Sequence, residues 1–424
     1  MVDYSYLRPK KASVLKEWHE MDFVHRNKLS APSYKNATIL PLKRFDGDNL
    51  LFGRGGVVDE NRNYIDISAI DNRVQYSYKF DNPIKKNKKV VYCGYLVRHW
   101  GHFLVEAVSR MWYFLENDNT IDSYVFFVDT NEQRELKGNY REFFELLGVL
   151  DKIEIINTPT EYKEVIVPEL GYKWRQYYSD NFKKIFDAVA NNIKINNEWQ
   201  KNERIFFTRS KLNKVANTEF GLDMLDDFFE KNDFKIISPE KISLSEMIFY
   251  IRNAQTCASV SGSLPHNMLF GADNQRLIIV ERNIYNNEIQ VDVNRIKKLN
   301  TIYIDSNIAI YPVNLGYGPF ILSYKGMLER FANDNNMKAP DEKYYTQKCL
   351  KHNFKKYMQA YFREYHYQWF MEDWSVKYTD YIREAYLDSL NYYGDYLSGK
   401  TPYKFTQIFS LHYIKQYVKR FIKR

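Results

Sequence analysis

Cysteine is scarce in this chain: Cys93, Cys257 and Cys349 are the only three among 424 residues, far apart and without a Cys-x-x-Cys pair. That spacing encodes neither a disulfide framework nor a zinc site, and a reducing compartment is the default. A run of about eighteen apolar residues, the length that reads as a membrane-spanning helix, is missing. The opening residues, MVDYSYLRPKKASVLKEWHEMD, lack the apolar core of a signal peptide. The chain therefore reads as soluble or peripheral. Neither GxGxxG nor a Walker A sequence occurs, which argues against dinucleotide oxidoreductases and P-loop enzymes. His19-Glu20 is followed by His25 rather than by a histidine at zinc-protease spacing, so no metal site is expected there. Acidic residues stop at Asp395, whereas Lys400, Lys404, Lys415, Lys419, Arg420, Lys423 and Arg424 follow; the net charge of +8 belongs largely to this tail.

What is present is alternation. A composition of 45% hydrophobic residues over 424 positions supports a sizeable core and two domains. RIFFT (204–208), FKIIS (234–238), CASVS (257–261) and RLIIVE (276–281) are short enough for buried strands. Phe220–Glu230 and Leu244–Ala254 read as helices between them, the second entered through a Ser243/Glu246 capping box. An earlier unit has the same character. ATILPL (37–42) and NLLFGRGGVV (49–58) suggest a hairpin, followed by strands VVYCG (90–94), SYVFFVD (123–129), IEIIN (153–157) and EVIVP (164–168), with helices at His102–Leu115 and Tyr140–Leu147. Such alternation predicts an α/β fold with parallel sheets and ligands beyond the carboxyl ends of the strands. FKKIFDAVANNI (182–193) reads as a connecting helix. The expected division is 1–195 for the first α/β domain with its connection, 196–335 for a second α/β domain that binds nucleotide, and 336–424 for a helical extension.

Two constellations carry chemistry. In HWGHFLVEAVSRMW (99–112), His102, Glu106 and Arg110 are spaced by four, which on one continuous helix presents an imidazole, a carboxylate and a guanidinium on one face. A carboxylate one turn away orients a histidine as a general base for a hydroxyl nucleophile; the same spacing also describes a plain surface ladder. His99 and Arg110 are assigned to acceptor positioning or to structure. The second constellation joins Arg209, Lys211 and Lys214 after one strand to Ser261-Gly262-Ser263 after another, where a turn into a helix near Pro265 forms an anion seat. Glu281, at a strand end, is a candidate acceptor for ribose hydroxyls or an ordinary exposed carboxylate. Asp46-Gly47-Asp48 imitates the DxD of metal-dependent sugar transferases, but it precedes a hairpin and reads as a polar turn.

These segments resemble glycosyltransferase family 61. WGHFLVEAVSRMW (100–112) is similar to the family's run of aromatic or Gly, His, aromatic, two aliphatics, Glu and Pro-Arg, with Ser109 in place of the proline; FFTRS (206–210) resembles its strand ending in Ser-Arg, and KVAN (214–217) its basic-aliphatic-x-Asn segment. The likeness covers about residues 37–285 and departs at two places. Thr218 stands where the family has Glu, with Glu219 one residue later. The family's His-Gly-Ala is Ser261-Gly262-Ser263, with His266 one turn on and Asn267 and Phe270 in place. The resemblance implies a GT-B arrangement of two facing Rossmann-like domains with a cleft, and inverting, metal-independent transfer from a nucleotide sugar, a UDP-sugar, to a hydroxyl. His102 with Glu106 would act as the base, while Arg209, Lys214, Asn217, Ser261, Gly262, Ser263, His266, Asn267 and Glu281 would hold the donor. No cofactor and no nucleic acid is implied.

The C-terminal residues suggest where such an enzyme works. Tyr357, Tyr361, Tyr365 and Trp369 are spaced by four, as a packing seam or a stacking platform would be. Leu411–Arg424 divides into an apolar arc and a basic arc, suited to anionic headgroups or to docking on the body with a solvated basic face. The expectation is a bacterial cytoplasmic enzyme, peripheral at the inner membrane face, acting on a glycan or lipid-linked glycan in capsular or surface polysaccharide synthesis. The alternative is a non-catalytic glycan- or nucleotide-binding protein with a degenerate site.

Overall fold

β-branched and aromatic runs build two six-stranded sheets. The structure, a computed structural model, describes residues 1–45, 53–69, 76–129, 134–212, 218–283, 287–308 and 318–364. One sheet has the order Arg54–Val58, Ser33–Lys43, Thr160–Ile166, Ile84–Tyr95, Ser123–Phe127, Ile153–Ile156. Its last four strands are parallel, and the hairpin strands at the other side pair antiparallel. The second sheet is parallel throughout, in the order Lys235–Ile237, Arg204–Phe207, Thr256–Val260, Arg276–Glu281, Asn300–Asp305, Val2–Tyr6. Its central strand Thr256–Val260 is buried along its whole length, as a parallel strand covered by helices on both faces must be. The architecture is α/β with parallel sheets, consistent with Rossmann-like domains.

Strand order fixes where ligands can bind. After Arg204–Phe207 the chain forms a neighbouring strand at Lys235–Ile237, then crosses back to lay Thr256–Val260 on the opposite side. The reversal opens a crevice between the loops that leave Arg204–Phe207 and Thr256–Val260, the loops that carry Arg209 and Ser261–Ser263. The first sheet has the same reversal around Ile84–Tyr95, whose exit loop leads to His99.

Two helix expectations are corrected. His102–Leu115 is not one helix: an α-helix covers Trp100–Val105, and a 3₁₀ segment covers Ala107–Glu116. The tighter pitch after Glu106 rotates Arg110 off the face shared by His102 and Glu106, so the three-residue ladder does not form. The helix near Pro265 is a seven-residue 3₁₀ segment, Leu264–Phe270.

Sequence reading also missed the role of the N-terminus. Val2–Tyr6 pairs with Asn300–Asp305 at the edge of the second sheet, and the Pro9–Glu20 helix packs against Glu288–Ile296. Buried ion pairs fasten it, Arg8 to Asp305 and Lys11 to Glu281. Asp46–Asp48, Tyr365, Trp369 and Leu411–Arg424 lie outside the described residues. Tyr357, on the Gln347–Glu364 helix, is fully buried against Phe220, Ile308 and Ile321. Among the described residues no helix is long and apolar enough to cross a membrane.

The two sheets share a core. One buried cluster runs from Val91, Phe103 and Phe144 through Phe186 to Ile248, Leu269 and Phe270, joining helices of both halves. Glu142, on the Gly138–Leu146 helix, reaches across to cap the Leu244–Asn253 helix, accepting from the Leu244 and Ser245 amides at 2.8 Å each and from Ser245 Oγ at 2.6 Å. Three orphan donors at that helix start are thereby satisfied, with Ser243 accepting from the Glu246 amide as the capping box predicts.

Candidate active site

The short helix that follows the first sheet's central strand meets the turn that follows the second sheet's. Trp100 Nε1 donates to Asn267 Oδ1 at 2.8 Å, and Asn267 Nδ2 donates to Leu264 O at 2.8 Å. Gly101 lies so close that a Cβ there would stand 2.9 Å from both His266 Cδ2 and Ser263 Oγ. The Trp100–Val105 helix and the Ser261–Ser263 turn, one from each constellation, are therefore neighbours across one seam.

On one side of the seam stand His102 and Glu106. His102 Nδ1 is hydrogen-bonded to Glu106 Oε1, a carboxylate that only accepts. In the neutral imidazole this places the proton on Nδ1 and the lone pair on Nε2, the arrangement a general base requires. His99 packs beside it, ring centroids 5.0 Å apart, and is exposed. Arg110 instead points into the core, donating to the carbonyls of Pro168, Ile67 and Ala69 and lying 5.2 Å over the Tyr92 ring. It fastens the loop 67–69 to the sheet.

On the other side, Gly262 takes φ +133°, a conformation that glycine adopts without penalty. Ser261 is buried, and its Oγ accepts from the Arg282 amide at 3.2 Å, so its hydroxyl serves the sheet edge while Ser263 faces the seam. A 3₁₀ segment this short lends little dipole, so positive charge has to come from side chains. Arg209 supplies one guanidinium, held by Glu219 through Nε at 3.2 Å to each carboxylate oxygen and through Nη2 at 3.0 Å. Sequence reading did not find Arg282, whose Nη1 donates to the same Glu219 oxygen at 2.5 Å and whose guanidinium stacks 4.5 Å from the Phe320 ring centre. The only signals were its position after a strand end and a lone acid in a basic loop. Lys214 and Asn217 lie outside the described residues. Glu281 is 1% exposed and accepts from Lys11 Nζ at 3.2 Å, so it is not an exposed strand-end carboxylate; burial raises its pKa, and Lys11 opposes that shift.

His266 completes this side of the seam. It is buried, and Nδ1 meets Gln290 Oε1 at 2.7 Å; Gln290 Nε2 then donates to Asn294 Oδ1 and Asn294 Nδ2 to Tyr303 OH. Because the amide oxygen accepts, Nδ1 carries the proton. Burial pushes the pKa down to about 4, reinforced by the nearby His102 and His99 and opposed by the Gln290 hydrogen bond, so this imidazole is neutral at ordinary pH.

Residues 100–278 match the family model described as Glycosyltransferase 61, a stretch that begins at the seam tryptophan and ends inside the strand Arg276–Glu281. No curated protein matches the chain.

Proposed function

We propose that the glycosyltransferase domain in this chain is an inverting, metal-independent enzyme of GT-B type that moves a sugar from a UDP-sugar to a hydroxyl of a glycan or lipid-linked glycan. The observation that carries this reading is the seam itself: the His102–Glu106 pair lies next to the Ser263 turn because Trp100 bonds Asn267 and Gly101 abuts Ser263. The second half binds the nucleotide. Arg209 and the Gly262 turn meet the diphosphate, and preorganised donors there act most strongly as charge builds on the leaving group. The first half holds the acceptor, and His102 Nε2 removes its proton while Glu106 stabilises the imidazolium. Asn267 is a rivet between the halves in this reading, and Arg110 supports the acceptor side from within the core.

A bacterial cytoplasmic setting at the inner membrane face, in surface polysaccharide synthesis, fits the basic tail of the sequence. The test is release of UDP from UDP-sugars in the presence of glycan acceptors, with chelator throughout, for the wild type and His102→Gln. The expected result is chelator-insensitive turnover in the wild type and a loss of about 10²–10⁴-fold in kcat for the variant, with donor affinity kept. Wild-type turnover in His102→Gln places the base elsewhere. A protein that binds UDP-sugars but never cleaves them, with or without acceptor, would be a degenerate binding site.

A further inference from the structure

The cations around the second sheet's ligand edge outnumber their carboxylates. Arg8 pairs with Asp305, Lys11 with Glu281, and Arg209 and Arg282 share Glu219. Four cations against three carboxylates leave one positive charge in this cluster of described residues. The cluster is graded in exposure: the side chains of Arg282 and Glu219 are 6% and 3% exposed, that of Arg209 19%. The uncompensated charge thus reaches solvent at Arg209, whose Nη1 makes no hydrogen bond to a described residue. Arg282 lies directly behind the turn, since a Cβ on Gly262 would stand 2.9 Å from its Nη2.

We propose that Arg282 is a positioning residue for the donor diphosphate, acting through Glu219 to keep Arg209 both oriented and electrically available. This rests on the nucleotide-sugar reading above and extends it to a residue beyond the matched stretch. Without Arg282, Glu219 and Arg209 form a neutral pair, and an arginine already neutralised by a bidentate carboxylate has little left for a phosphate. With Arg282 bound to the same oxygen, the triad keeps a net charge of +1 while Glu219 still fixes the plane of the Arg209 fork. The Phe320 ring and the Gly262 turn both lie against the Arg282 guanidinium. A lysine would keep the charge but lose the planar contact.

The experiment is calorimetric titration of the full chain with UDP, inorganic pyrophosphate and uridine, for the wild type, Arg282→Met, Arg282→Lys and Glu219→Gln, with thermal melting of each. Arg282→Met is expected to weaken UDP and pyrophosphate by about tenfold or more, the worth of one charge-assisted contact, while uridine binding stays unchanged. Arg282→Lys should recover part of that loss. Glu219→Gln raises the triad's charge while its amide oxygen still accepts from the Arg209 fork, so pyrophosphate should bind at least as tightly as in the wild type even though melting falls. A scaffold role predicts the reverse, with both Arg282→Met and Glu219→Gln losing pyrophosphate together, and that result overturns the proposal. So does unchanged pyrophosphate binding in a folded Arg282→Met. If Arg282→Met does not fold, the sign of the Glu219→Gln effect decides alone. Failure of the wild type to bind UDP or pyrophosphate would refute the donor reading itself, and this inference with it.

Discussion

Gly101→Ala isolates the seam from everything else. Gly101 is the second residue of the Trp100–Val105 helix, and its φ lies outside the range that disfavours side chains. In a free helix the substitution would stabilise by about 0.5–1 kcal/mol, by restricting the unfolded chain and improving propensity. Here the new methyl would meet His266 Cδ2 at 2.9 Å, Ser263 Oγ at 2.9 Å and Ser263 Cβ at 3.1 Å. Carbon contacts settle at about 3.5–4.0 Å, so the ring is roughly 0.6–1.1 Å too close. His266 cannot retreat, being 3% exposed and tethered to Gln290. Overpacking of this kind costs about 1–3 kcal/mol, so the net change lies between roughly neutral and 2.5 kcal/mol destabilising. The larger effect falls on the chemistry. Relief by sliding the helix displaces His102 from the Ser263 turn by a fraction of an ångström to one ångström, and a misplacement of about 1 Å can cost on the order of a hundredfold in kcat. Melting and steady-state turnover of Gly101→Ala, Ser263→Gly and the double variant separate the terms. Ser263→Gly removes two of the three clashes, so the double variant should regain turnover relative to Gly101→Ala alone. A Gly101→Ala protein that melts higher and turns over at the wild-type rate would show that this contact does not hold the site together.

Two further outcomes follow from the same geometry. Glu142→Ala strips the Leu244–Asn253 helix of its cap from across the core, and urea denaturation should show a loss of about 1–2 kcal/mol; no loss would mean the cap is replaced by solvent. Two buried groups make stability depend on pH in opposite directions. His266 titrates at about 4 in the fold against 6.5 free, so its contribution is fully present above pH 6.5 and is lost as pH falls toward 4, by about 3 kcal/mol in all. Asp292, buried and raised to about 6, runs the other way, its contribution being present below pH 3.8 and lost as pH rises to 6, by about 3 kcal/mol. The two nearly cancel between pH 4 and 6. His266→Gln should expose the Asp292 slope, losing stability relative to wild type as pH rises from about 4 to 6 and levelling off above about 6.5; parallel curves for the two proteins would deny a buried neutral His266.

Much of the framework was legible because buried strands write themselves as apolar runs. RLIIVE became the strand Arg276–Glu281, CASVS (257–261) became the strand Thr256–Val260, shifted one residue earlier, and the Ser243 cap formed where the capping box placed it. The same patterns misled at Ala107–Glu116, where apolar spacing suits an α-helix and a 3₁₀ helix alike over one or two turns, so nothing in the sequence marks the change of pitch at Glu106. Val2–Tyr6 was missed because its partner strand lies about three hundred residues away and VDYSY alternates too weakly to declare a strand. At the site, His102, Arg209 and Ser263 were visible as residue types with an obvious chemistry. Arg282 was not, since a buried arginine announces itself only once the carboxylate and ring that hold it are in place.

That difference follows from how the site is held. His102, Arg209 and His266 are each held by a buried or half-buried side chain: Glu106, Glu219, which Arg282 shares, and Gln290. None of the three partners needs to touch a substrate. Each sets something the sequence does not spell out, namely which nitrogen carries a proton or which way a planar fork turns. Glu106 and Gln290 both place the proton on Nδ1, so both imidazoles present Nε2 as an acceptor, one half-exposed at the base position and one buried against Gly101. The buried ring therefore resists protonation, so His266 itself sets no imidazolium against the one that a base at His102 must become. Replacing Gln290 by Glu would reverse this, because a carboxylate there stabilises a charged His266 and so disfavours the imidazolium that the base must become.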